Sequence, residues 1–186
     1  MSVVTKRSTM TFFSDPTDHS SHRVRIVLAE KGVTVDIIDC DPDAIPEEVS
    51  EMNPYNNLPT LLDRDLVLFE PNIMMEYLDE RFPHPPLLPV YPVARGNARM
   101  FLHRIEKEWT PLIRVIEQAK RNNKRAAAAI KDLRDQLITI SPIFDEMPYF
   151  MSEEFSIVDC TVAPILWRLP HLGIELPPKQ TRGLQD

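Results

Sequence analysis

The segment Pro83 to Pro92 (PHPPLLPVYP) holds five prolines in ten residues and constrains this chain of 186 residues more than any other feature. Proline lacks an amide donor and its ring clashes with the preceding helical turn, so neither a helix nor a central strand can run through it. A stiff, extended connector is expected there. The two stretches that it separates carry different patterns. Before it, short alternating apolar runs are mixed with helical ones; beyond it, the apolar period changes wholly to 3.6 residues.

Composition admits a buried core, with 43% apolar and 26% charged residues. No run of about 18 apolar residues occurs, so no membrane-spanning helix is expected. Met1 to Thr9 carries Lys6 and Arg7 with no apolar run behind them, which predicts no secretory signal. Cys40 and Cys160 stand far apart without metal-type or redox spacing and read as buried thiols in a reducing cytoplasm. Charge is uneven. Residues 1–92 hold 16 acidic and 7 basic side chains, net −9, and residues 93–186 hold 12 and 14, net +2. An acidic first half repels phosphate backbones, which argues against direct nucleic-acid binding. It either attracts a basic protein surface or simply solvates the fold.

Thr9 to Ser14 reads as a strand, and Asp15 to Ser21 as a polar turn rich in helix-cap residues. Val24, Val27 and Leu28 then recur at helical spacing up to Gly32, a C-terminal stop. Val33, Val35 and Ile37 alternate as a strand, and a short helix is expected over Pro46 to Met52. Two strands follow at Thr60 to Leu62 and Leu66 to Phe69, joined by a turn at Asp63, Arg64 and Asp65. A helix from Glu70 to Phe82 places Ile73, Met74, Tyr77, Leu78 and Phe82 on one face, with Pro71 at its favoured first position. The order β-α-β-α-β-β-α is that of a thioredoxin-like domain, here over residues 9–83, with a linker at 84–92.

Residues 93–186 read as an all-helical domain. Phe101, Leu102, Ile105, Trp109, Leu112, Ile113 and Ile116 share one stripe with a kink at Pro111. After a polar break at Asn122 to Lys124, Ala127, Ile130, Leu133, Leu137 and Ile140 form a second helix. A third begins at Ser156, with Asp159 completing a capping box and Phe155 and Cys160 at the staple positions.

Three motifs together resemble the glutathione-transferase fold. Asn57-Leu58-Pro59-Thr60-Leu61 is similar to the segment holding a cis-proline before its third strand. Leu68-Phe69-Glu70 resembles its acidic glutathione-anchoring turn, and Ser156 to Asp159 resembles the folding motif of its helical domain. A narrower resemblance runs from about Ser8 to Pro177. Arg23 to Gly32 (RVRIVLAEKG), Met75 to Pro86 (MEYLDERFPHPP), Pro89 to Gly96 (PVYPVARG) and Leu166 to Pro170 (LWRLP) are similar to the stringent starvation protein A family, bacterial regulators that bind RNA polymerase. That resemblance implies a further helix at the end, whereas this chain stops at Asp186.

Glutathione chemistry needs two devices. One is a hydroxyl or cysteine after the first strand to activate the thiol; the other is a hydroxyl and an amide at the acidic turn to hold the γ-glutamyl carboxylate. Glu70-Pro71 stands where the transferases carry Glu-Ser, and proline supplies neither group. Two lost hydrogen bonds to a carboxylate, at about 1.5–3 kcal/mol each, weaken binding by roughly a hundredfold or more. Ser14, Ser20 and Ser21 each stand near the activating position or act as caps. Ser14, Pro59, Glu70 and Pro71 therefore read as vestiges of a glutathione site, with no catalytic residue and no cofactor expected. The four glycines are unclustered, which excludes a phosphate-cradling loop. His19 and His22 with Asp15 and Asp18 fall short of a converging metal set, and no metal is expected.

The proline segment is a rigid connector, a recognition surface, or both. Fixed backbone angles limit the entropy lost on docking, and Tyr91 adds an amphipathic anchor. The resemblance implies a polymerase-contacting patch at Pro83, His84 and Pro85, with Pro86 and Tyr91 beside it. It implies a cytoplasmic, non-catalytic, two-fold homodimer that binds RNA polymerase holoenzyme near its primary sigma factor under starvation or stress. The alternatives are a glutathione-dependent transferase or peroxidase, and a scaffold with other partners.

Overall fold

The computed structural model describes residues 10–119 and 123–184. Expectations that fall on Lys6, Arg7, Thr9 and Asn122 lie outside the described residues. The chain divides into two compact units, one to Pro85 and one from Pro86, so the proline segment is shared between them.

In the first unit a four-stranded sheet carries helices on both faces. Its elements are β1 (Met10–Ser14), α1 (His19–Glu30), β2 (Val35–Asp39), α2 (Glu47–Met52), β3 (Thr60–Asp63), β4 (Leu66–Leu68) and α3 (Pro71–Arg81). The strand order is β2-β1-β3-β4, with β1 parallel to β2 and the other pairs antiparallel. Successive side chains of β1 point to opposite faces. Phe13 packs with Cys40 and Val49 beside α2, while Phe12 is wholly buried on the other face. Buried Val24, Val27 and Leu28 of α1 and Met74, Met75 and Leu78 of α3 supply the helical side of this core.

Local rules end α1. Gly32 takes φ +59°, the Gly32 amide donates to the Ala29 carbonyl, and the Val33 amide donates to the Leu28 carbonyl. That is a Schellman turn, for which glycine carries no Cβ penalty. The N-terminal cap differs from expectation: Asp18, not a serine, accepts from the Ser21 amide, while Ser20 and Ser21 lie inside the helix. Two further expectations need correcting. β2 runs two residues later than the alternation placed it and leaves Ile37 and Ile38 exposed, because it is an edge strand. The buried face of α3 is Met74, Met75, Leu78 and Asp79, with Ile73 56% exposed. A carboxylate enters that face because it is paired, as described below.

The second unit is helical. It contains α4 (Pro92–Arg104), a π-helical turn over Ile105–Trp109, α5 (Thr110–Glu117), α6 (Lys124–Ile140), the short α7 (Ile143–Glu146) and α8 (Ile157–Arg168). The kink expected at Pro111 is resolved one turn earlier. Pro111 cannot donate, and the Thr110 amide bonds back five residues to the Ile105 carbonyl, widening the turn. Phe101, Leu102, Ile105, Trp109 and Ile113 are buried as expected. On α6 the buried stripe is Ala126, Ala129, Leu133, Leu137 and Ile140, so Ala127 is exposed and Ile130 only half-buried. Cys40 and Cys160 are both free and buried. No helix among the described residues is long and apolar enough to cross a membrane.

Candidate functional site

The four vestigial positions all belong to the first unit. Phe13 pairs with Thr60 and Leu61 with Leu68, so extending the first register by one step and the second by two aligns Ser14, Pro59 and Glu70 in one row. The Leu58–Pro59 peptide is cis. Asn53, wholly buried, braces this loop by donating to the Asn57 carbonyl at 3.0 Å and to the Thr60 hydroxyl at 3.0 Å. At the end of the row, Glu70 is exposed and caps α3 with no side-chain hydrogen bond, and Pro71 opens the helix.

The hydroxyl that would activate a thiol is occupied. Ser14 is wholly buried, and its Oγ accepts from Arg25 Nε at 2.8 Å. Arg25 in turn pairs with Asp39. Ser21 also serves the loop, accepting from the Asp15 amide at 3.1 Å and donating to Asp18 Oδ2 at 2.9 Å. The concavity next to this end of β1, about 370 Å³, is lined by Asp15, Asp39 and Asp41 with Thr17, Cys40 and two prolines. Three carboxylates oppose an anionic tripeptide. Burial pushes the Cys40 thiol above its ordinary value, with Asp39 adding to the effect, which opposes thiolate formation.

The two candidate metal carboxylates are otherwise employed. Asp15 Oδ1 accepts from the Thr17 amide and hydroxyl, both at 2.7 Å, and Asp18 caps α1. Burial raises the Asp18 carboxyl above the usual aspartate range, against the lowering effect of its Ser21 bonds. His19 is buried and His22 half-buried. No group of three or more metal-type side chains converges among the described residues.

The proline segment is built differently. Prolines offer carbonyls but no N–H, and here donors take every second carbonyl. In the first unit, Lys31 Nζ donates to the Pro85 carbonyl. In the second, the Ile157 amide donates to the Leu87 carbonyl at 2.9 Å and Arg95 Nε to the Pro89 carbonyl at 2.9 Å. The Arg95 amide reaches the Tyr91 carbonyl at 2.9 Å, the first bond of α4. Leu87 and Leu88 are buried as apolar anchors. Between and beside these fixings, Pro83, His84, Pro85 and Pro86 are exposed, as are Val90 and the 78%-exposed Tyr91. The His84–Pro85 peptide is cis.

Residues 8–80 match the family model "Glutathione S-transferase, N-terminal domain". The stringent starvation protein A homolog of Pasteurella multocida is 57% identical over 94% of this chain and 81% of its own length. The homolog of Coxiella burnetii is 54% identical over 96% of this chain and 85% of its own. The chain belongs to the stringent starvation protein A family. Among solved structures, the theta-class glutathione S-transferase of Xanthomonas axonopodis pv. citri, a complex with glutathione, aligns with a TM-score of 0.84 at 21% identity over 96% of this chain and 89% of its own. A tau-class enzyme from mango aligns at 0.81 and 22% identity, over 95% and 85%. At such identities the likeness establishes the fold alone: a thioredoxin-like first unit followed by a helical one.

Within this stringent starvation protein A family member, sequence reasoning singled out the proline segment, which the fold leaves exposed, but missed what holds it. Lys31, Asp79, Arg95 and Arg25 lie in the motifs that carry the family resemblance, but their roles gave no signal, because each acts on a partner that the fold brings near. Lys31 and Asp79 stand 48 residues apart in the chain.

Proposed function

We propose that this protein acts by contact rather than by chemistry. It docks on RNA polymerase holoenzyme, in the region of the primary sigma factor, through Pro83, His84, Pro85, Pro86 and Tyr91, and so alters transcription during starvation or stationary phase. The observation that carries this reading is the exposed proline ridge itself, whose alternate carbonyls are fixed while its rings face outward. A surface ordered in advance loses little entropy on docking. The names of its relatives as stringent starvation protein A homologs support the same reading. The acidic first half suits the basic surfaces that polymerase and sigma factors present to DNA.

The working form is a two-fold homodimer. Exposed Ile73 on α3, and exposed Val93 and Met100 seven residues apart on one face of α4, are available for it. Titration of the labelled protein with holoenzyme tests the reading. Saturable binding that requires the sigma factor is expected, and no binding at micromolar holoenzyme overturns it. Sedimentation of the same sample at the mass of a single 21.5 kDa chain would remove the dimer.

A glutathione-dependent activity is the second reading, favoured by the fold. Against it stand the hydroxyl of Ser14, held by Arg25, and the missing donors of Pro71. A ligand stabilises the native state by RT ln(1 + [L]/Kd), so about 10 mM glutathione is expected to move the melting temperature by less than about 1 °C. A rise of several degrees, with turnover of a simple electrophile, would promote this reading over contact.

A further inference from the structure

We propose that Lys31 is the positioning residue of the Pro83–Pro85 surface. Its buried ammonium, held by Asp79, fixes the Pro85 carbonyl and thereby the attitude in which His84 and its flanking prolines meet a partner. The inference rests on reading that surface as the polymerase contact.

The side chain of Lys31 is 0% exposed and lies 2.6 Å from Asp79 Oδ1, whose side chain is 10% exposed. Lysine is almost never fully buried unless paired. Withdrawing two charges from water costs several kcal/mol per ion, and apolar residues of similar volume often serve stability as well or better. The gain must therefore lie elsewhere. An ammonium has three donors, and here a second one is directed at the Pro85 carbonyl. No methionine–leucine pair could make that bond.

The surroundings make Lys31 a rigid post. It caps the C-terminus of α1, where the helix dipole favours a cation, and the Schellman turn at Gly32 fixes its backbone. Asp79 lies in the last turn of α3, where that helix's dipole disfavours a carboxylate. It is tolerated there because Lys31 neutralises it. The segment needs such a post. Pro83, Pro85 and Pro86 lack N–H groups, so His84 is the one residue of this stretch with a backbone donor. Between Phe82, the C-terminal cap of α3, and the buried Leu87, the Lys31 bond is its anchor among the described residues.

The decisive chain is Lys31→Met/Asp79→Leu, which removes both charges while roughly keeping volume. Lys31→Met alone would take the counter-ion from a buried carboxylate and confound the result. Three measurements are made on the full-length protein: thermal melting, the NMR signal of the His84 ring (assigned with His84→Ala), and affinity for RNA polymerase holoenzyme. The double variant is expected to melt close to the wild type, to shift and broaden the His84 ring signal, and to lose about tenfold or more in affinity through lost preorganisation. An unchanged ring signal with unchanged affinity assigns the pair a purely structural role and overturns the proposal. So does a shifted signal with full affinity, and so does loss of the fold. The Pro83→Ala/His84→Ala/Pro85→Ala chain is titrated beside it. Should that chain bind holoenzyme as the wild type does, the reading of the surface fails, and the hold of Lys31 on the segment is then decided by the His84 signal.

Discussion

Replacing Pro83, His84 and Pro85 together by alanine is expected to abolish association with RNA polymerase holoenzyme, a loss of about a hundredfold or more, while the protein stays folded. Hot-spot residues in an interface contribute about 2 kcal/mol or more each, so removing three adjacent ones exceeds what the remaining Pro86 and Tyr91 contacts can replace. All three side chains are exposed, so the substitutions remove no buried side-chain contact. The stability cost comes from the freer unfolded chain, about 0.4–1 kcal/mol for each proline removed. Binding by fluorescence anisotropy and melting by circular dichroism, on one preparation, check both halves. Retained affinity sinks the contact model; collapse of the fold shows that the ridge is instead an internal strut.

The second large effect lies at Asp159, in the capping box of α8. Its Oδ2 accepts from the Ser156 amide at 2.8 Å and from the Ser156 hydroxyl at 2.9 Å, and its Oδ1 from the Phe150 amide at 2.8 Å. One carboxylate thus closes the helix start and also tethers Phe150. That ring packs on Phe101 at 4.1 Å and Phe144 at 5.2 Å, centre to centre. Asp159→Ala leaves two backbone amides in a dry site without an acceptor, and a cost of about 3–5 kcal/mol follows. In a chain of this size that lowers the melting temperature by about 10 °C. Ser156→Ala, which removes a single cap acceptor, should cost only about 1 kcal/mol. A calorimetric scan distinguishes them, and equal small effects would show that the box adds nothing beyond an ordinary cap.

These two sites show what the chain's letters disclose and what they withhold. The box at Ser156 and Asp159, the stop at Gly32 and the helix start at Pro71 were legible because each obeys a rule acting over three or four residues. The mixed fold was legible too, from the change of period across the prolines and from the motifs around Pro59 and Glu70. Faces were harder. On α6, Ala126 and Ala129 are buried in place of Ala127 and Ile130, because alanines on four successive positions leave the direction of the stripe to the neighbouring helix. On α3, an aspartate displaced Ile73 from the core because its counter-ion arrives from α1. The cap at Asp18 was obscured by two serines that satisfied the same local preference. The candidate surface divides in the same way. Its prolines were plain in the sequence, whereas the cations that fasten them, Lys31 and Arg95, are ordinary charged letters until the fold brings them to a carbonyl.

The ridge also has a property that follows from its missing hydrogens. An incoming β-strand needs a regular alternation of N–H and C=O along an edge, and four of the first seven residues from Pro83 have no hydrogen to give. The stretch therefore cannot be zipped into a neighbour's sheet, although it exposes apolar rings that would otherwise invite such growth. Whatever recognises it must do so by shape and side chain, and a crowded cell full of sticky edges passes it by.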